Sequence, residues 1–189
     1  MPTGDATCRL RRDHPDIEDG KLVRKYLAPY GDRRHLYIVP GDHALGRDLN
    51  YPVVLVEAEK SALALRAWSI RTGRQLLPIA TGGCWGWRGK IGKVENSKGS
   101  ASMRLGHSLN SVSVPQAARF MCCWMPIVPA IRRYRLRELR LYASCYARNL
   151  QPHVLEFASD EGVNGPDDYI GLVGDDAMAR LFDCSATLR

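Results

Sequence analysis

Residues 52–61, PVVLVEAEKS, constrain the fold of this chain more than any other stretch, because a wholly apolar run gives way at once to two acids and a lysine. A strand with one face in water alternates apolar and polar residues, whereas a strand covered on both faces does not. The run therefore predicts a strand inside a parallel sheet with helices on either side. In open parallel sheets ligands gather at the carboxyl ends of the strands, which is where Glu57 falls.

From Lys60 the chain reads SALALRAWSIR, mostly good helix formers, with Ser61, Ala64, Leu65 and Trp68 on one face and Gly73 as a stop. Residues 76–80 form a second apolar strand, so 52–80 predicts a βαβ unit with the helix as a right-handed crossover. Directly after it comes TGGCWGWRGK, residues 81–90. Glycines let a backbone approach a ligand closely, Arg88, Lys90 and Lys93 are candidate phosphate contacts, and Trp85 or Trp87 offers a stacking face. Ile91 stands where a P-loop requires Ser or Thr, which excludes that motif. A tight turn with no ligand is the alternative for this segment.

Upstream, residues 8–12 and 22–26 flank Asp19-Gly20 and predict a β-hairpin. Its cations Arg11, Arg12, Arg24 and Lys25 are either a solvated face or nucleic-acid contacts. Residues 35–39 predict a short strand closed by Pro40-Gly41-Asp42. Downstream, 153–157 predicts a strand, Gly165-Pro166 a helix start with Asp167 and Asp168 in its first turn, and Asp175 the cap of a last helix running to about residue 182.

A chain of 189 residues supports one sizeable core. It contains no apolar run of about 18 residues and opens without a secretory pattern, so the expectation is a soluble cytoplasmic protein with no membrane partner. The six cysteines show no C-x-x-C spacing and read as free thiols rather than zinc ligands. The net charge of +7 suggests an acidic partner, but its distribution is peculiar. Residues 100–152 hold eight arginines, no lysine and a single acid, Glu138, so this segment accounts for the whole excess.

Three stretches together, PVVLVEAEKSA (52–62), LPIATGGCWGWRGK (77–90) and GVNGPDDYI (162–170), resemble the Toprim-like domain of primase and replication proteins from phages, plasmids and integrated elements. The likeness covers about residues 9–98 and 151–183. It implies an α/β fold, a small parallel sheet flanked by helices, here with an N-terminal β-hairpin. It also implies Mg²⁺-dependent nucleotidyl-transfer or phosphodiester chemistry, DNA or RNA as partner, and a companion helicase or other replication domain. Glu57 matches the family glutamate and becomes the catalytic acid or base and a metal ligand. Glu59 and Lys60 match its neighbours, Lys60 as a phosphate contact, and Asp167 and Asp168 match the late acidic pair, with Mg²⁺ as the ion they would help hold. Ala58 departs from the family's glycine.

The larger departure is the middle strand ending in aspartate, which the family carries and residues 99–152 lack. In its place stand a Ser-rich stretch, FMCCWMPI (120–127) and the arginines, expected to be irregular or poorly packed. The genetic code offers an explanation. FMCCWMPI must be encoded TTY ATG TGY TGY TGG ATG CCN ATH, and reading two nucleotides later gives Tyr or His, then Val-Leu-Leu-Asp-Ala. That is a hydrophobic strand ending in aspartate, so residues 100–150 read as translated between two compensating frameshifts. The alternative is a genuine basic insertion, with an amphipathic helix over 131–149 that turns Leu136, Leu139 and Tyr142 or Ala143 inward. The chain is thus expected to comprise a hairpin region (1–50), a Toprim-like βαβ core (51–98), an aberrant segment (99–152) and the C-terminal strand and helices (153–189). If active it would be a primase-like nucleotidyltransferase, and the absent acid favours an impaired enzyme, a non-catalytic nucleic-acid-binding module or an inactive product.

Overall fold

The computed structural model describes residues 8–27, 36–48, 50–83, 86–88, 90–95, 101–105, 119–122, 132–147, 149–155, 157, 162–184 and 186–187. The chain divides into two compact units, Met1–Arg33 and Arg34–Arg189.

In the first unit the hairpin forms around Asp19-Gly20, whose positive φ values of 51° and 72° suit a tight turn between twisted strands. Strands β1 (Leu10–Arg11) and β4 (Tyr26–Leu27) pair at the base, and β2 (Asp16–Glu18) and β3 (Lys21–Val23) pair next to the turn, both antiparallel. Several cations satisfy the unit's own acids and ring. Arg12 grips Asp16 at 2.7 and 2.9 Å, Arg24 lies 3.7 Å from Asp16 and 3.6 Å from Glu18, and Arg9 sits over the Tyr26 ring.

The second unit is built on a six-stranded sheet. Strands β6 (Val53–Val56), β7 (Leu77–Ala80), β10 (Arg119–Cys122) and β11 (Gln151–Val154) are mutually parallel, while β5 (Tyr37–Ile38) and β12 (Ala186–Thr187) border them antiparallel, in the order β12-β11-β10-β6-β7-β5. A separate antiparallel ribbon, β8 (Lys90–Glu95) with β9 (Ala101–Leu105), leaves the segment after the glycine turn.

The continuous apolar run has the predicted cause. All four β6 residues are buried, and alternate ones belong to two cores. Val53 and Leu55 join Leu77 and Ile79 against Leu141 and Cys145 of helix α2 (Arg132–Tyr146). Val54 and Val56 face Leu65 and Trp68 of helix α1 (Glu59–Thr72), Leu155, Phe157 and Met178. Helix α1 ends as expected at Gly73 in the left-handed region. Helices α3 (Pro166–Val173) and α4 (Asp175–Asp183) follow, with Pro166 opening the first as anticipated. The cap of α4 is Gly174 rather than Asp175, whose carboxylate is turned to Arg71 instead.

The middle segment corrects the expectation of irregularity over the residues described. Arg119–Cys122 is an interior strand, with Phe120 level with Val53 on one side and with Pro152 on the other. Backbone groups seek a ladder whatever their side chains, and an interior gap would leave two rows of them unpaired. Helix α2 lies in the chain's return from β10 to β11, but its inward residues are Leu141 and Cys145, whereas Leu139 is 58% exposed and Ala143 is also exposed. Of the residues expected inward, Tyr142 is partly buried against that core, whereas Leu139 and Ala143 turn outward.

Candidate functional site

Connections leave β6 in opposite directions. The chain passes first to β7 on one side and later to β10 on the other, so β6 and β10 flank the point where strand order reverses. In open α/β sheets that point leaves a crevice above the carboxyl ends of the strands. Glu57 follows β6 immediately and is exposed there.

The glycine turn is fastened to this strand end by its backbone. The Val56 carbonyl oxygen accepts from the Thr81 N–H at 2.9 Å and from the Thr81 hydroxyl at 3.2 Å, and the Glu57 carbonyl accepts from the Gly83 N–H at 3.1 Å. The Gly86 N–H then closes on the Gly83 carbonyl at 2.8 Å. A Cβ at Gly86 would lie 1.5 Å from the Thr81 carbonyl oxygen, so no other residue fits. The glycines thus account for a tight turn. Trp87 is buried in the core beside α2 and is not a stacking face, which corrects that expectation. Trp85 lies outside the described residues. Arg88 ends a short 3₁₀ turn, Gly86–Arg88, and Lys90 and Lys93 lie on β8, with their side chains outside the description.

On the other flank of Glu57, the first turn of α1 meets the first turn of α3. Lys60 forms a salt bridge with Asp167 and lies 3.7 Å from Asp168, while the Ser61 hydroxyl donates to Asp167 at 2.6 Å. Asp168 accepts from the Asn164 N–H at 2.9 Å. Burial pushes the Asp167 carboxyl upward, but hydrogen bonds from Lys60 and Ser61, with the Lys60 charge, outweigh it and hold the pKa below the ordinary carboxylate range. Gly165 makes room for this clasp, since a Cβ there would lie 2.9 Å from Asp167 and 3.1 Å from Ser61. Lys60 is therefore committed to Asp167 and Asp168, which weighs against its expected role as a phosphate contact.

Ala58 adopts φ −111° and ψ 148°, an extended conformation open to any residue. Tyr37 was not foreseen at this edge. It opens β5 level with Ala80, and burial, with the charge of Glu59, raises its phenol pKa. No local signal marks it, because an antiparallel border strand from far upstream carries no record of its neighbour.

A Mg²⁺ site needs two or three carboxylates free to converge on one ion. Among the described residues no three Asp, Glu, His or Cys side chains do so. Both Asp167 oxygens are engaged by Lys60 and Ser61, so among the described residues Asp167 is already held by these partners. In the hairpin Arg12 is tied to Asp16, whereas Arg11 and Lys25 are exposed. Of the cysteines, Cys8, Cys145 and Cys184 are free thiols, and among the described residues no helix is long and apolar enough to cross a membrane. Comparison with protein-family models, curated proteins and solved structures gave no match to this chain.

Proposed function

We propose that this chain is a Toprim-like α/β domain of a mobile-element replication protein, descended from a Mg²⁺-dependent nucleotidyl-transfer or phosphodiester enzyme and impaired in its present form. The observation that carries the reading is the position of Glu57, an exposed carboxylate at the carboxyl end of an interior strand where strand order reverses. Glu57 is the acid or base of the ancestral reaction. The impairment follows from the sequence that continues β10, which ends in Cys122 and is followed by Cys123, Trp124, Met125 and Pro126 without an acid.

The register adds support for a displaced reading frame. Cys122 is level with Leu55, two residues before Glu57. In the alternative frame the aspartate codon starts on the last base of codon 124, two codons beyond Cys122. A restored chain paired in the same register would carry its aspartate at the height of Glu57. Expression of the chain with the alternative frame restored across residues 100–150 tests the reading. Mg²⁺-dependent primer synthesis is expected in the restored chain, absent from the present one and abolished by Glu57→Gln. A restored chain without activity, or activity indifferent to Glu57→Gln, would refute it.

A further inference from the structure

The N-terminal hairpin separates its charges along its length. Toward the turn the cations meet acids, since Arg12 and Arg24 flank Asp16, Arg24 also approaches Glu18, and Lys21 is level with Glu18 across the ladder. At the base, β1 and β4 carry no acid, and Arg9, Arg11 and Lys25 are exposed. Residues directly opposite one another in an antiparallel pair share a face, as do residues two apart on one strand. Arg11 is level with Tyr26, so Arg9, Arg11 and Tyr26 stand on one face, while the opposed pair Leu10 and Leu27 stands on the other. The contact made by Arg9 agrees with this placement, because its guanidinium lies 5.1 Å from the centre of the Tyr26 ring. Tyr26 nevertheless remains 43% exposed.

We infer that this face of the hairpin is a contact site for single-stranded nucleic acid, in which an unpaired base stacks on Tyr26 while Arg9 and Arg11 bind the adjoining phosphates. An exposed ring beside two guanidinium groups combines the two interactions that hold single strands, stacking on a base and attraction to its backbone. Guanidinium groups also meet phosphate oxygens through two parallel N–H donors. A duplex keeps its bases stacked on one another and offers the ring no free face. An acidic protein segment would use the charge and leave the ring idle. The inference is independent of the proposed ancestry, since it uses neither Glu57 nor a metal.

The test is fluorescence anisotropy of a labelled mixed-sequence single-stranded DNA with the full chain across a range of NaCl concentrations. Binding is expected to be tighter than to the matching duplex, and unaffected by EDTA or by Glu57→Gln. Tyr26→Leu, which keeps an apolar residue without the faces of a ring, should weaken it about fivefold or more with the salt slope unchanged, whereas Tyr26→Phe should preserve it. Arg11→Gln should reduce the slope of log K against log salt by about 0.7, the share of one phosphate on a single strand, and Arg11→Lys should keep it. Arg47→Gln, an exposed cation of the other unit, should leave the slope in place. Absence of single-strand binding by the wild-type chain would overturn the inference. So would equal affinity for the duplex, full affinity in Tyr26→Leu, an equal loss in Tyr26→Phe, an effect of Arg47→Gln matching that of Arg11→Gln, or displacement of DNA by polyglutamate at equal charge concentration.

Discussion

The Ser61 hydroxyl donates a 2.6 Å hydrogen bond to Asp167, a residue 106 positions away, and so joins the first turn of α1 to the first turn of α3. The cap position of α1 is Ala58, which has no side chain to serve its free N–H groups. Asp167 thus supplies from another helix the negative charge that favours a helix start. Replacing Asp167 by Ala should lower unfolding free energy in urea by about 1–3 kcal/mol, the cost of losing a charge-assisted bond and leaving its donors with poorer partners. Ser61→Ala should cost less, about 1 kcal/mol, because Lys60 still reaches Asp167.

The same carboxylate sets a pH dependence. Its folded pKa lies below the unfolded value, so its stabilisation is fully present above an unfolded pKa of about 3.9 and is lost as pH falls through the lower folded value. Stability of the Asp167→Asn variant should therefore decline less than that of wild type between about pH 5 and pH 2. Paired urea titrations measure the difference, which also separates Asp167 from Asp175 and Asp183, whose pKa values are lowered by hydrogen bonds from Arg71 and Arg74 and which remain in both proteins.

Buried Asp42 sits beside Arg66, with Nη2 2.8 Å from Oδ1 and Nε 2.6 Å from Oδ2. Removing only the cation, in Arg66→Met, leaves a carboxylate with little access to water and should cost about 3–5 kcal/mol. Adding Asp42→Asn should recover most of that loss. Equal destabilisation by the single and double variants in a thermal melt would show that packing, not charge, governs the site.

Two glycines should respond in opposite directions to alanine. Gly86→Ala places a methyl group inside contact distance of the Thr81 carbonyl and must break the turn that is pinned to Val56 and Glu57. Gly171, within α3, has nothing within 4 Å of an added Cβ, and Gly171→Ala should stabilise the fold by up to about 1 kcal/mol through helix propensity. Thermal unfolding of both variants against wild type checks the pair.

The coding DNA provides a prediction that needs no protein. Read in the alternative frame, the window for residues 100–150 should be open throughout and should encode acids as well as cations. Stop codons across that window would refute the proposed displaced frame.

What the sequence determined by itself was everything set by local pattern. The apolar run of β6 needed cover on both faces, α1 stopped where Gly73 permits a left-handed turn, and Pro166 opened α3 because its ring suits a first helical position. Glu57 followed from the same logic, as the first charged residue after a buried strand. Tertiary structure alone decided the rest. Residues 119–122 carry no strand signature, and only the vacancy between β6 and β11, with its unpaired backbone groups, gives them an interior place. Helix α2 has two apolar stripes, and the sheet beneath it selects Leu141 and Cys145 over Leu139 and Ala143. The joining of Lys60 and Ser61 to Asp167, which turns the expected site groups Lys60 and Asp167 into parts of a clasp, depends on two helix starts meeting in space. Local periodicity records which side of a segment avoids water, but not which distant group will be there to meet it.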